Sequence, residues 1–89
     1  MYVLLVYDIC EKRVNKVLKI CRQYLDWVQN SVLEGELTKA SLETLKKRIE
    51  RIVNKEEDSV RIYKLRTQDD LTLEILGIDK KQVADDGII

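Results

Sequence analysis

YLDWVQNSVLEGEL, residues Tyr24 to Leu37, is the stretch on which the fold turns. Trp27, Val28, Val32 and Leu33 stand among strand-forming neighbours, and at about fourteen residues the run is long for a single strand. It is either one bent strand or a hairpin, with a turn near Gln29 to Ser31 or at Glu34 to Glu36, and Gly35 marks the exit. On its N-terminal side, Tyr2 to Tyr7 is apolar on both alternating faces, the pattern of a central strand covered above and below. Something must cover its second face. Between the two, Val14, Val17, Leu18, Cys21 and Leu25 recur at helical spacing, which predicts an amphipathic helix over residues 12–24. On the C-terminal side, Thr38 is placed to cap a helix whose stripe is Leu42, Leu45, Ile49, Ile52 and Val53. SVRIYKL (Ser59 to Leu65) alternates as a strand, and LTLEILG (Leu71 to Gly77) reads as a short further one. Residues 78–89 are mostly polar yet end in DGII, and are expected as a tail or a short C-terminal strand. Periodicity leaves the choice at Tyr24 to Leu37 open, and with it the order of the elements.

Composition bounds the rest. At 89 residues and 45% hydrophobic content, a single domain over residues 1–89 is expected, small enough that burial against a partner would help it. No apolar stretch approaches the roughly 18 residues of a membrane span, and no charged-then-apolar leader is seen, so a soluble, cytoplasmic protein without membrane partners is expected. Cys10 and Cys21 lack the number and spacing of a zinc site or a disulfide framework, and read as buried thiols. The chain contains no histidine, which removes imidazole acid–base catalysis, histidine-activated nucleophiles and histidine-ligated zinc. Any metal must sit on oxygen. With three glycines in all and no GxxxxGK[ST] or GxGxxG, no loop is built to cradle a nucleotide cofactor.

Formal net charge is zero, but it is unevenly spread. Residues 1–66 carry 14 Lys and Arg against 10 Asp and Glu, a balance of +4, and residues 67–89 carry 2 against 6, a balance of −4. Lys12, Arg13, Lys16, Lys19 and Arg22 follow one another with no acid among them. A helix of one sign repels itself unless an anion neutralises it, and a phosphate backbone does so with release of counterions. A solvated face would produce the same pattern. A second group, Lys46, Lys47, Arg48, Arg51 and Lys55, is diluted by Glu43 and Glu50.

VYDI at the end of the first strand, the basic helix NKVLKICRQY, the following WVQNSVLEGEL and the helix LTKASLETLKKRI together resemble the CRISPR-associated protein two family, the small core subunit of spacer acquisition. The likeness spans about residues 2–67, and residues 68–89 match loosely. It implies an α+β, ferredoxin-like βαββαβ fold with an antiparallel sheet, and a homodimer in which a short C-terminal strand is laid on the partner's sheet. It therefore favours two strands within residues 24–37. In the family the aspartate closing the first strand lies near the twofold. The resemblance thus implies that Asp8 and its mate share a magnesium ion, with Asp8 as metal ligand and catalytic group, Tyr7 flanking it as a second catalytic residue, and Arg13 holding a phosphate. Such a site would serve the magnesium-dependent endonuclease activity attributed to some members, on RNA or DNA. The other implied role is a dimeric bridge between two dimers of the CRISPR integrase, CRISPR-associated protein one, which holds double-stranded DNA for spacer integration. There Lys12, Arg13, Lys16, Lys19 and Arg22 are the nucleic-acid contacts, and the bridge is the favoured role. Read without the family, Asp8 would equally serve as a cap for the helix after it. The chain departs from the pattern at Leu33, where many relatives carry an aromatic.

Overall fold

The computed structural model describes residues 1–81, and it resolves Tyr24 to Leu37 into a hairpin. The elements run β1 (Tyr2–Asp8), α1 (Glu11–Cys21), β2 (Asp26–Gln29), β3 (Val32–Glu36), α2 (Lys39–Glu50), β4 (Ser59–Leu65) and a short 3₁₀ turn at Gln68–Asp70. This is the ferredoxin-like order. The strands form one sheet in the order β2-β3-β1-β4 with every neighbouring pair antiparallel, so the first strand made becomes an inner strand of the sheet.

Asn30 makes the hairpin. It sits at φ +35°, in the left-handed region that asparagine tolerates better than most residues. Trp27 pairs with Leu33 and Gln29 with Val32, which leaves Val28 as the extra residue of a bulge. Two side chains then fasten the turn, as Trp27 Nε1 donates to the Asn30 carbonyl at 2.8 Å and the Tyr7 hydroxyl donates to the same oxygen at 3.1 Å. Gly35 lies inside β3 rather than at its exit. A Cβ there would stand 3.3 Å from Leu25 Cδ2 and 3.6 Å from the Leu25 Cα, so its bareness lets the α1–β2 connection pass close over the sheet.

Alternation assigns the faces of β1. Val3, Leu5 and Tyr7 are buried toward the helices, where they meet Val17, Leu18 and Cys21 of α1 and Leu42, Leu45 and Ile49 of α2. Thr38 caps α2 as expected, its Oγ1 accepting from the Ser41 N–H at 3.0 Å. Helix α1 stops at Cys21, sooner than the stripe through Leu25 predicts, because the Tyr24 and Leu25 N–H groups turn back onto the Cys21 carbonyl. Val3, Leu5, Val17, Cys21, Leu33 and Leu45 are the large side chains sealed most completely from water. At about 1.5–3 kcal/mol for each large aliphatic side chain, this face supplies the main drive to fold.

The other face carries Tyr2, Leu4, Val6 and Asp8, with Val32 and Glu34 of β3 and Arg61, Tyr63 and Leu65 of β4 directly opposite them. Segment 66–81 crosses from the β4 edge to the β2 edge on this side, bringing Lys81 Nζ to 3.9 Å from Asp26. LTLEILG, expected as a strand, is unpaired here. An alternating segment becomes a strand only when it pairs along an edge, and this one runs across the sheet instead of alongside β2 or β4. Most of its apolar side chains face water instead, with Leu73 66%, Ile75 44% and Leu76 97% exposed, as is the following Ile78 at 82%. The tail's possible strand over residues 78–89 lies outside the described residues from Gln82 onward.

The two thiols differ. Cys21 is wholly buried, which pushes its thiol up to about 12, whereas Cys10 is half-buried at the start of α1. With a water-soluble disulfide reagent, the native protein should react quickly at one thiol, Cys10, and at the second only after denaturant is added. Equal rates at both would show that the α1 end opens readily.

Candidate functional site

Asp8 closes β1 opposite Ser59 of β4. Its side chain is exposed on the face shared with Leu4 and Val6. It does not cap the next helix, for Cys10 occupies that position with no side-chain cap. Among the described residues its carboxylate has no hydrogen-bond or ion-pair partner. Such a group is free to meet a ligand.

Tyr7 adjoins Asp8 in sequence but points to the opposite face. It is buried in the helix-side core, its hydroxyl bound to the hairpin turn and its ionisation pushed up by burial. What it positions directly is the β2–β3 turn.

Arg13 lies on the first turns of α1, and its guanidinium is occupied. Nε donates to Asp58 Oδ2 at 2.7 Å, while Nη2 donates to Asp58 Oδ1 at 3.1 Å and to Glu57 Oε1 at 2.6 Å. A phosphate reaching Arg13 would have to share or displace these acids. Asp58 itself was invisible in the sequence, where NKEED reads as a polar loop. Its side chain is fully shielded from solvent, and it also accepts from the Cys10 N–H at 2.8 Å and the Asn54 N–H at 2.8 Å. The Arg13 bonds, joined by those two backbone donors, hold its carboxyl well below the usual carboxylate range.

Lys12, Lys16 and Lys19 project from the outer side of α1, away from buried Val17, Leu18 and Cys21. Their spacing places them along one stripe, and no acid among the described residues pairs with any of them. Arg22, at the end of α1, lies 5.2 Å over the Trp27 ring. In the second basic group, Arg48 is tied inward, with Nη1 donating to Gln23 Oε1 at 2.8 Å and to the Tyr24 hydroxyl at 3.1 Å. On the sheet's outer face, buried Glu34 lies beside Tyr2, whose phenol is pushed up to about 12 by burial first and by Glu34 second.

Among the described residues no three acidic or thiol groups converge on a metal position. Asp8 by itself supplies a single carboxylate. Magnesium keeps several waters and takes one or two carboxylates, so two Asp8 side chains from two copies, completed by water, form a chemically adequate donor set. Among the described residues, no helix is long and apolar enough to cross a membrane.

Residues 1–72 match the family model described as CRISPR associated protein Cas2. A protein of Dictyoglomus turgidum named CRISPR-associated endoribonuclease Cas2 is 55% identical over 82 residues, covering 92% of this chain and 94% of that one. One of the same name from Thermotoga maritima is 53% identical over 89 residues, covering 100% and 99%. Among solved structures, one described as a crystal structure of Cas2 superposes with a TM-score of 0.84 at 48% identity, covering 100% of this chain and 98% of that one. Streptococcus pyogenes Cas2 gives 0.76 at 36% identity, over 86% of this chain and 100% of its own.

Proposed function

Since the chain belongs to the CRISPR-associated protein Cas2 family, we propose that it acts in CRISPR adaptation as a dimeric bridge, held between two dimers of the CRISPR integrase and gripping the duplex to be inserted. The observation that carries this reading is the stripe of Lys12, Lys16 and Lys19, exposed and unpaired with any acid among the described residues. Three cations fixed on one helix suit a row of phosphates. They would position the duplex without reading its bases, and Arg22 would extend the row. Dimerisation is supported by the outer sheet face, where Leu4, Val6 and Val32 are only half-buried, and by Leu73, Leu76 and Ile78, which would gain cover on a second copy. A cytoplasmic place of action goes with this role. Replacing Lys12, Lys16 and Lys19 together by alanine should weaken duplex binding at every sequence tested. The slope of log affinity against log salt should fall by about 0.9 for each phosphate that the helix no longer neutralises. An unchanged slope would return the stripe to ordinary solvated surface.

A second reading, favoured by the unpartnered Asp8 carboxylate, is metal-dependent cleavage of RNA or DNA. Relatives named endoribonucleases support it. Asp8 from each copy would hold one magnesium ion at the twofold, and the bound ion would supply Lewis-acid polarisation of a phosphodiester and a more acidic water. The chain's own part is to aim the two carboxylates, keep them free of internal partners, and hold the strand beside the α1 lysines that would bind the flanking phosphates.

A further inference from the structure

Among the described residues Asp8 has no side-chain bond of its own, so its backbone decides where its carboxylate meets a second copy. Two things fix that backbone. One is the pairing of Asp8 with Ser59, and the other is the turn through Ile9 and Cys10 into α1. Asp58 governs both, because it directly precedes Ser59 and accepts the Cys10 N–H at 2.8 Å. Its remaining capacity is taken by Asn54 N–H at 2.8 Å and by the fork of Arg13 at 2.7 and 3.1 Å. Each oxygen of Asp58 thus accepts two bonds, from three separate segments: the β1–α1 turn, the first turns of α1, and the α2–β4 loop. Glu57 steadies Arg13 from outside at 2.6 Å. A solvent-shielded carboxylate holding four donors is a rigid junction, since loss of Arg13 would leave Asp58 buried without its counter-charge.

We propose that Asp58 and Arg13 form a clasp that positions Asp8, making them positioning residues of the shared cation site and removing Arg13 from the phosphate contacts. The assignment rests on the reading that paired Asp8 carboxylates hold a cation. A two-carboxylate site closed across a twofold tolerates misplacement of about half an ångström, and any shift in one copy is repeated in the other.

The test uses the full chain labelled with nitrogen-15 and manganese(II) alone as the paramagnetic probe, in wild type, Asp58→Asn and Arg13→Lys. The second variant keeps the charge but not the fork, and so stays interpretable should Asp58→Asn fail to fold. In wild type, manganese should broaden the Asp8 and Ser59 amide signals. Each variant should show faster hydrogen exchange at the Cys10 amide and an apparent manganese affinity about tenfold weaker, the lower end of what outer-sphere substitutions cost. Salt-dependent duplex binding through Lys12, Lys16 and Lys19 should stay unchanged. Wild-type affinity in a variant whose Cys10 amide exchanges faster would overturn the clasp assignment alone. Absence of broadening at Asp8 in wild type would overturn the cation reading, and the clasp's role with it. Loss of duplex binding in Arg13→Lys would put Arg13 back among the phosphate contacts.

Discussion

Asp8→Asn should abolish magnesium-dependent cleavage of labelled RNA or duplex DNA while dimerisation, duplex binding and integrase association persist. The substitution keeps size and shape but turns both anionic ligands of the proposed pair into neutral amides, which hard divalent cations bind far less well. Little else should change. Asp8 is exposed and lacks internal partners among the described residues, so its replacement should move folding stability by no more than about 0.5 kcal/mol, and neutralising facing like charges would if anything favour the dimer. The proposed phosphate contacts lie on α1 rather than at the strand end. Cleavage that survives the substitution would remove Asp8 as the metal ligand. Loss of integrase association with normal dimerisation would show that the partner surface includes the end of β1.

The second large effect concerns Val32, half-buried beside Val6 on the outer sheet face. Val32→Asp should convert the proposed dimer to a folded monomer. No cation lies directly across from this position, since its cross-strand partners are Val6 and Gln29, so the new carboxylate would find no counter-charge opposite it within its own sheet. In the monomer it stays hydrated. If this face is the interface, the charge is desolvated once in each copy, and a cost of about 3 kcal/mol weakens association roughly a hundredfold. Sedimentation at micromolar concentration should then report a monomer whose far-ultraviolet dichroism matches wild type. A dimer of unchanged strength would place the interface elsewhere and leave the outer face to segment 66–81 of the same chain.

Much of this arrangement is legible in the sequence because it rests on local periodicity. The two-sided apolar run of β1, the stripe of α1, the Thr38 cap and the alternation of SVRIYKL all survive into the structure. The hairpin is harder. Its signal is the tolerance of Asn30 for a left-handed backbone, reinforced by two hydrogen bonds, from Tyr7 and Trp27, that no local window reveals. Asp58 was beyond reach. Glu56, Glu57, Asp58 and Ser59 follow one another as acceptors of similar type, and only the meeting of three distant segments decides which acid turns inward. The same meeting redefined Arg13, which in sequence is one of five similar cations. LTLEILG shows the converse limit. Its alternation is genuine, but a strand also needs a paired neighbour, and this segment runs alongside neither edge strand of the sheet.

The place of β1 in the sheet also governs how the protein is made. Tyr2–Asp8 leaves the ribosome before either of its neighbours, Val32–Glu36 and Ser59–Leu65, and Asp8 waits for Ser59. The nascent chain must therefore carry an apolar, β-prone segment without its full pairing until β4 has emerged. Completion of the sheet is expected to be slowed by these distant pairings, with β1 as the stretch that chaperones shield and that seeds aggregation if synthesis stalls between α2 and β4.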